Sequence, residues 1–373
     1  MELKSIREEI DNIDEQIVAL FKRRMDLSVK IAESKIKTGS PVLNAEREEE
    51  VLSNIERLGG EYGHYARLLY GNVMELSRDL QYTIINGNNP LRDIIKNAER
   101  TLCTDSQDLK VACLGGEGSN SHLAAMKIFP NAEVVLQKNF DKVFGKVENN
   151  ICDFGVLPVE NSSAGSVSRV YDLILKYRYY IVGEIELPIE HCLCAIPQTD
   201  ISNIEHVLSH EQGLAQCSLF LSENGFTTQK VSSTSVAAQT VAAEKRINWG
   251  AICTKESADS YGLKVLDKNI QNNDDNCTRF IVISKKAIIT ETADKVSLCF
   301  SLPNRPGSLY TVLCRFSSHG FDLTKIESRP LPHSQFDYLF YLDFVGNLHD
   351  EENSRMICSL AEELPEFSFL GNY

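Results

Sequence analysis

Long apolar runs are missing from this 373-residue chain. No stretch of 18 apolar residues occurs, so no segment is expected to cross a membrane as a helix. The opening residues, Met1-Glu2-Leu3-Lys4-Ser5, run straight into a charged amphipathic pattern and lack the apolar core of a secretory signal. Cysteine is present eleven times, an odd number, but never in C-x-x-C spacing, and the closest pair, Cys192 and Cys194, has no clustered ligands. That argues against a zinc site or a disulfide framework and fits reduced thiols. Positive charge is in deficit, with 38 Lys and Arg against 52 Asp and Glu for a net charge of -14. A general nucleic-acid binder needs a basic face, so that class is excluded. Internal repeats, low-complexity tracts and the G-x-G-x-x-G spacing of a dinucleotide site are also missing. The expectation left standing is a cytoplasmic protein of two or three domains that acts on small molecules or other proteins.

What is there divides into pieces. Residues 1–88 have a helical pattern and read as an all-α domain, and residues 89–109 are polar and read as a linker. Residues 110–286 alternate short apolar strands with amphipathic helices, which predicts an α/β domain. Residues 294–373 carry the order strand, helix, strand, strand, helix, strand, which predicts a small α+β module of ferredoxin-like type.

The first helix has apolar residues at Leu3, Ile6, Ile10, Ile13, Ile17, Leu20, Leu27 and Ile31. Their 3,4 spacing makes a heptad seam, which marks a helix packed along its length against a partner. Gly39-Ser40-Pro41 is a strong stop. A helix of that length measures about 50 Å, too long for so small a domain to cover alone, so the segment is expected to dimerise. Arg24 occupies the seam position between Leu20 and Leu27, and Lys35, eleven residues on, projects from nearly the same face. A buried cation needs an anion. Two readings follow from spacing: an anionic ligand meets both cations, or Arg24 pairs with a helix carboxylate such as Glu48 or reaches out to water.

Residues 7–48, with Arg7, Asp14-Glu15, Arg23-Arg24, Lys35, Pro41-Val42 and Arg47-Glu48, resemble the intertwined all-helical chorismate mutases, and Ser77 and Gln81 continue the match. The resemblance implies a homodimer with two buried sites. In each, Arg24 and Arg7 from the partner subunit hold the substrate carboxylates, and Lys35 and Gln81 donate to the ether oxygen. Arg47 and Glu48 surround the ring hydroxyl, and Ser77 assists a carboxylate. Asn44 stands where relatives often have Asp. The chemistry suits these residue types, because a pericyclic rearrangement needs orientation and fixed positive charge rather than a nucleophile, cofactor or metal.

In the middle segment, Val111 to Ser119 reads as a strand and a Gly-rich turn, and Phe154 to Gly165 as a buried strand running into a polar turn. Strand-end turns of this kind are where α/β folds place ligands. Glu160-Asn161-Ser162, His191-Cys192-Leu193, Ser209-His210, Gln216-Cys217, Ser233-Thr234-Ser235 and Thr278-Arg279-Phe280 together resemble the prephenate dehydratases. The resemblance implies two α/β lobes around a cleft, as in periplasmic binding proteins. Gly116 and Asn120 depart from the Gly-Pro and aromatic usual in that family's first turn. By the resemblance Thr278 is the acid that helps hydroxide leave. Asn161, Ser162, Ser233, Thr234, Ser235, Arg279 and Phe280 bind the dianionic substrate. Prephenate and arogenate both stay open as that substrate. A hydroxyl is a credible acid only in a closed, oriented site beside a cation. His122, His191 and His210 have no paired nucleophile or orienting acid in the pattern and are expected to be structural.

Arg305-Pro306-Gly307-Ser308-Leu309 and Glu327-Ser328-Arg329-Pro330 resemble the two motifs of the ACT modules attached to such dehydratases. The resemblance implies that Gly307, Ser308, Leu309, Glu327, Ser328 and Arg329 bind phenylalanine where two modules meet. As a whole the chain resembles the bifunctional chorismate mutase–prephenate dehydratases, implying feedback inhibition by phenylalanine, no cofactor, and a homodimer or homotetramer.

Overall fold

The structure, a computed structural model, describes residues 3–85, 89–304, 306–330 and 338–373. Arg305, named in the first of the two C-terminal motifs, lies outside the described residues. The chain forms two compact units, one from residues 1–98 and 291–372, the other from residues 99–290 with the final tyrosine.

The first unit begins with α1 (Leu3–Thr38), α2 (Ala45–Leu58) and α3 (Gly63–Ile85). Helix α1 stops where Gly39 turns left-handed at φ +66°, a conformation that costs a glycine little. Asn44 caps α2 by accepting from the Arg47 backbone N–H at 3.0 Å, a role an aspartate would fill equally. The segment read as a linker is shorter than expected, because α4 (Pro90–Lys96) forms inside it. Asn89 caps that helix, Pro90 sits at its start, and Leu91 and Ile95 are buried. No helix among the described residues is long and apolar enough to cross a membrane.

The second unit has two sheets. Strands β1 (Lys110–Leu114), β2 (Glu133–Gln137), β3 (Phe154–Asn161), β4 (Gly165–Ser166) and β5 (Tyr180–Pro188) alternate with α5 (Asn120–Ile128), α6 (Phe140–Glu148) and α7 (Ser168–Tyr177). The second lobe holds β6 (Cys192–Ala195), β7 (His206–His210), β8 (Thr227–Val231), β9 (Trp249–Cys253) and β10 (Lys264–Asp267). Its helices are α8 (Glu211–Gln216), α9 (Ser218–Glu223), α10 (Thr234–Glu244) and α11 (Lys255–Ser260). The chain then returns to the first lobe as β11 (Cys277–Ser284), giving the order β2-β1-β3-β11-β5 there and β10-β6-β9-β7-β8 in the second lobe. Strands β3 and β11 are buried almost throughout, which explains their unbroken apolar runs. They lie antiparallel, with Thr278 opposite Asn161.

The C-terminal part of the first unit is β12 (Lys295–Leu302), α12 (Ser308–Ser318), β13 (Leu323–Pro330), β14 (Tyr338–Val345), α13 (Glu351–Glu363) and β15 (Ser368–Asn372). Its four-stranded antiparallel sheet has the order β13-β14-β12-β15, the ferredoxin-like arrangement expected from the element order. Helices α12 and α13 lie against α3.

Candidate functional site

Helix α3 has two working faces. At 3.6 residues per turn, Ser77 and Gln81 fall on one side while Glu75, Asp79 and Tyr82 fall on the other. The first face meets α1. Lys35 Nζ donates to the Val42 carbonyl at 2.7 Å and to Gln81 Oε1 at 3.0 Å. Ser77 and Ser28 share a hydrogen bond of 2.5 Å, and both are buried. Burial lowers the Lys35 pKa, opposed by the nearby Glu48 carboxylate. Arg24 donates to the Val73 carbonyl at 3.3 Å, and no acid pairs with it among the described residues. Glu48, weighed from spacing as its partner, is held by Arg78 instead. Lys35, Gln81, Ser77 and Arg24 are therefore brought along one α1–α3 groove.

Arg47 is exposed and pairs with Glu50 at 2.5 Å, while Glu48 is held by Arg78. Gln81 turns its carbonyl toward Lys35, while its amide N–H donates to the Ser77 carbonyl at 3.1 Å. Donation to a substrate oxygen would need that amide to rotate. Arg7 lies on α1 seventeen residues before Arg24, about 25 Å along the helix, so it cannot reach its own chain's groove. The eight apolar seam residues of α1 are 40–65% exposed.

In the second unit, Asn161 Nδ2 donates to Thr278 Oγ1 at 2.8 Å, to Asn276 Oδ1 at 2.9 Å and to the Cys277 carbonyl at 3.1 Å. Both Asn161 and Thr278 are buried. The threonine oxygen accepts, so its own hydrogen is left for another acceptor. Asn161 Oδ1 takes the backbone N–H groups of Ser163 and Ala164, which fixes the turn. Ser162 Oγ accepts from the Cys277 N–H at 2.9 Å and so closes that turn. Beside it lies a cavity of 370 Å³ lined by Ser163, Gln212, Ala215, Gln216, Gln271 and Asn276, among others. Asn276 Nδ2 is buried without a hydrogen-bond partner among the described residues. Across the cleft, Ser233 caps α10 through the Val236 N–H, and Ser235 Oγ accepts from the Gly116 N–H at 3.3 Å. Thr234 opens that helix. Gly118, at φ +71°, comes so near Ser257 that a Cβ would sit 2.3 Å from its backbone nitrogen, so the turn admits only glycine there.

Thr278 reaches the edge of this cavity only through Asn161 and Asn276, and the other two residues of the Thr-Arg-Phe motif lie elsewhere. Alternation along β11 puts Arg279 on the sheet face opposite Thr278. There it pairs with Glu160 and Glu184 at 3.2 Å each and meets the Tyr171 hydroxyl at 3.3 Å. Phe280 is 1% exposed and belongs to the first lobe's apolar core with Val156 and Val282. The three histidines are used structurally. His122 accepts from the Gly118 N–H, His210 caps α8, and His191 meets Gln216 at 2.9 Å, with burial lowering its pKa.

In the C-terminal module Gly307 has φ +87° and precedes α12, with no side-chain cap at that end. Among the described residues a Cβ there would meet nothing within 4 Å, so the demand for glycine comes from φ. Ser308 Oγ is buried without a hydrogen-bond partner among the described residues, and Leu309 follows on the same first turn. Arg329 grips Glu327 with two nitrogens, at 2.8 and 2.9 Å, while Ser328 points to the other face of β13.

Sequence reasoning missed Ser28, Asn276, Arg78 and Arg315. The only local signal was the i,i+3 pair Glu75–Arg78; the others find partners distant in the chain.

Two family models match the chain: chorismate mutase type II over residues 6–82 and prephenate dehydratase over residues 111–288. A bifunctional chorismate mutase/prephenate dehydratase of Aquifex aeolicus is 36% identical over 377 residues, covering 100% of this chain and 98% of that protein. Arogenate dehydratase 2 of Petunia hybrida is 38% identical, covering 76% of this chain and 77% of that protein. The solved prephenate dehydratase of Arthrobacter aurescens in complex with L-Phe is 30% identical, with a TM-score of 0.66, covering 71% of this chain and 90% of that one.

Proposed function

Since the chain belongs to the bifunctional chorismate mutase/prephenate dehydratases, we propose that its two reactions run at two separate sites, one in each unit. It rearranges chorismate to prephenate, then dehydrates and decarboxylates prephenate to phenylpyruvate. For the first step, Arg24 and Arg7 of the partner subunit hold the carboxylates, with Ser77 and Ser28 beside them. Lys35 and the rotated Gln81 amide stabilise negative charge developing on the ether oxygen. Glu48 receives the ring hydroxyl. The observation that carries this reading is the exposed α1 seam. A two-chain arrangement would bury it and deliver the arginine that the single chain leaves about 25 Å away.

For the second step, Thr278 donates its free hydrogen to the departing hydroxyl while Asn161 donates into Oγ1 and steadies its developing charge. Ser162, the start of α10 at Ser233, Thr234 and Ser235, and the cavity amides hold the carboxylates. Arg279 acts behind the sheet, keeping Glu160 and so the Asn161 turn in place. Arogenate as an alternative substrate is favoured by the Petunia relative's name and would place its amine in the amide-lined cavity.

The C-terminal module is read as an ACT domain that binds phenylalanine at Gly307–Leu309 and Glu327–Arg329 and inhibits the dehydratase. The L-Phe complex of the Arthrobacter relative supports that reading. The boundaries follow as mutase 1–88, dehydratase 110–286 and regulatory module 294–373. A homodimer, at least, is the assembly, and eleven free cysteines suit a cytoplasmic location. Sedimentation of the purified chain with and without a charge in the seam, such as Ile13→Glu, tests the composite site. Loss of both dimer and mutase turnover is expected, and full mutase activity in a monomer would refute it.

A further inference from the structure

The second face of α3 carries a ring of buried charge that neither reaction uses. Arg78 pairs with Glu75 and lies 3.3 Å from Glu363. Arg315, on α12 and 2% exposed, pairs with the same Glu75 and with Glu363 at 2.6 Å. Two guanidinium groups and two carboxylates thus close on each other, with Asp79 and His319 at the edge, 3.0 Å apart. Through its other terminal nitrogen, Arg78 holds Glu48 on α2. The Nε atoms of both arginines are buried without a hydrogen-bond partner among the described residues, and Arg315 Nε has only Asp79 near it, at 3.9 Å.

We propose that Arg315 is a positioning residue for the mutase reaction, because through Glu75 and Glu363 it fixes the guanidinium of Arg78 that holds the Glu48 carboxylate. Without Arg315, two buried carboxylates share Arg78 alone. Their pull draws it into the ring and away from Glu48, since an unpaired buried charge is more costly than a lost contact at the groove. The C-terminal module therefore supplies a part of the mutase site's support, though Arg315 touches no substrate. The inference rests on the reading that Glu48 lies at the mutase site, and the test separates the two.

Chorismate kinetics on the full chain decide it, using Arg315→Met, Arg315→Lys, Glu48→Gln and the doubles with Glu48→Gln. Prephenate turnover shows that the other unit is intact, and a thermal melt of the full chain reports folding of the unit that holds Arg315. Arg315→Met should lower kcat/KM for chorismate about tenfold, equal to about 1.4 kcal/mol, with prephenate turnover kept. Lysine supplies charge without the fork and should recover part of it. In the Glu48→Gln background the same substitutions should cost less than about twofold, because the group they position is already gone. An equal cost in both backgrounds would mean a structural role only and overturn the proposal, as would unchanged chorismate kinetics in both single variants. If Arg315→Met fails to fold, the cycle with Arg315→Lys is decisive by itself. Glu48→Gln with normal chorismate turnover would instead sink the site reading, and the relay with it.

Discussion

Replacing Thr278 by valine keeps the shape of the side chain and removes only its hydroxyl. Asn161 Nδ2 loses one of three acceptors but keeps Asn276 Oδ1 at 2.9 Å and the Cys277 carbonyl at 3.1 Å, enough for its two hydrogens. No buried donor is orphaned, so the cost to folding is that of one hydrogen bond, about 1 kcal/mol. The cost to dehydration is larger. A single positioned donor aimed at developing charge is worth about 2.7–4 kcal/mol, a factor of about 100 to 1,000 in kcat. Thr278→Ser restores the hydroxyl and should keep most of the rate. The assay is phenylpyruvate formation from prephenate, with chorismate consumption followed in parallel. Thr278→Val retaining more than a tenth of the prephenate turnover would refute the acid role. So would a parallel fall of both activities in folded protein, which would contradict two separate sites.

Arg24→Ala and Arg7→Ala should each abolish mutase turnover and leave the dehydratase intact, and mixed dimers of the two should regain part of it; verified heterodimers with no recovery would place Arg7 outside the site. Gly307→Ala, strained by the φ of +87°, and Glu327→Ala, which releases Arg329, should raise the phenylalanine concentration needed for inhibition with little change in basal rate; calorimetry showing no phenylalanine binding to the wild type would defeat the regulatory reading. The hydrogen bond to Asp79 raises the His319 pKa against the effect of burial, so its stabilisation is complete below the ordinary histidine value of about 6.5 and is lost as pH rises through the folded value. Burial opposes ionisation of Asp79, yet the His319 bond and Arg315 hold its pKa down, so that carboxylate's share is lost only in acid. The gap in thermal midpoint between wild type and His319→Gln should therefore be widest in mildly acidic buffer and shrink toward alkaline pH, and a gap independent of pH would refute the pairing.

Local pattern made much of this legible. The 3,4 spacing of Leu3 to Ile31 showed the seam, Gly39 its end, and the alternation of strand and helix after residue 294 the ferredoxin-like order. The Thr278–Asn161 pair was legible as two motifs, though only the β3–β11 register puts them opposite each other. Arg279 illustrates how adjacency misleads, because neighbours in a strand face opposite ways. Arg315 and Glu75 stand 240 residues apart, and no periodicity foretells a pairing that tertiary packing alone creates. Helix α4 was readable from Asn89-Pro90, a cap followed by a first-turn proline, but its polar surroundings masked it.

The central claim is that one chain holds two catalytic sites that act in sequence. Purified protein given chorismate alone, with chorismate, prephenate and phenylpyruvate quantified over time, tests it most directly. The account predicts that chorismate falls, prephenate passes through a transient, and phenylpyruvate accumulates to match the chorismate lost, whereas chorismate consumed with prephenate as the lasting product, or not consumed at all, would contradict it.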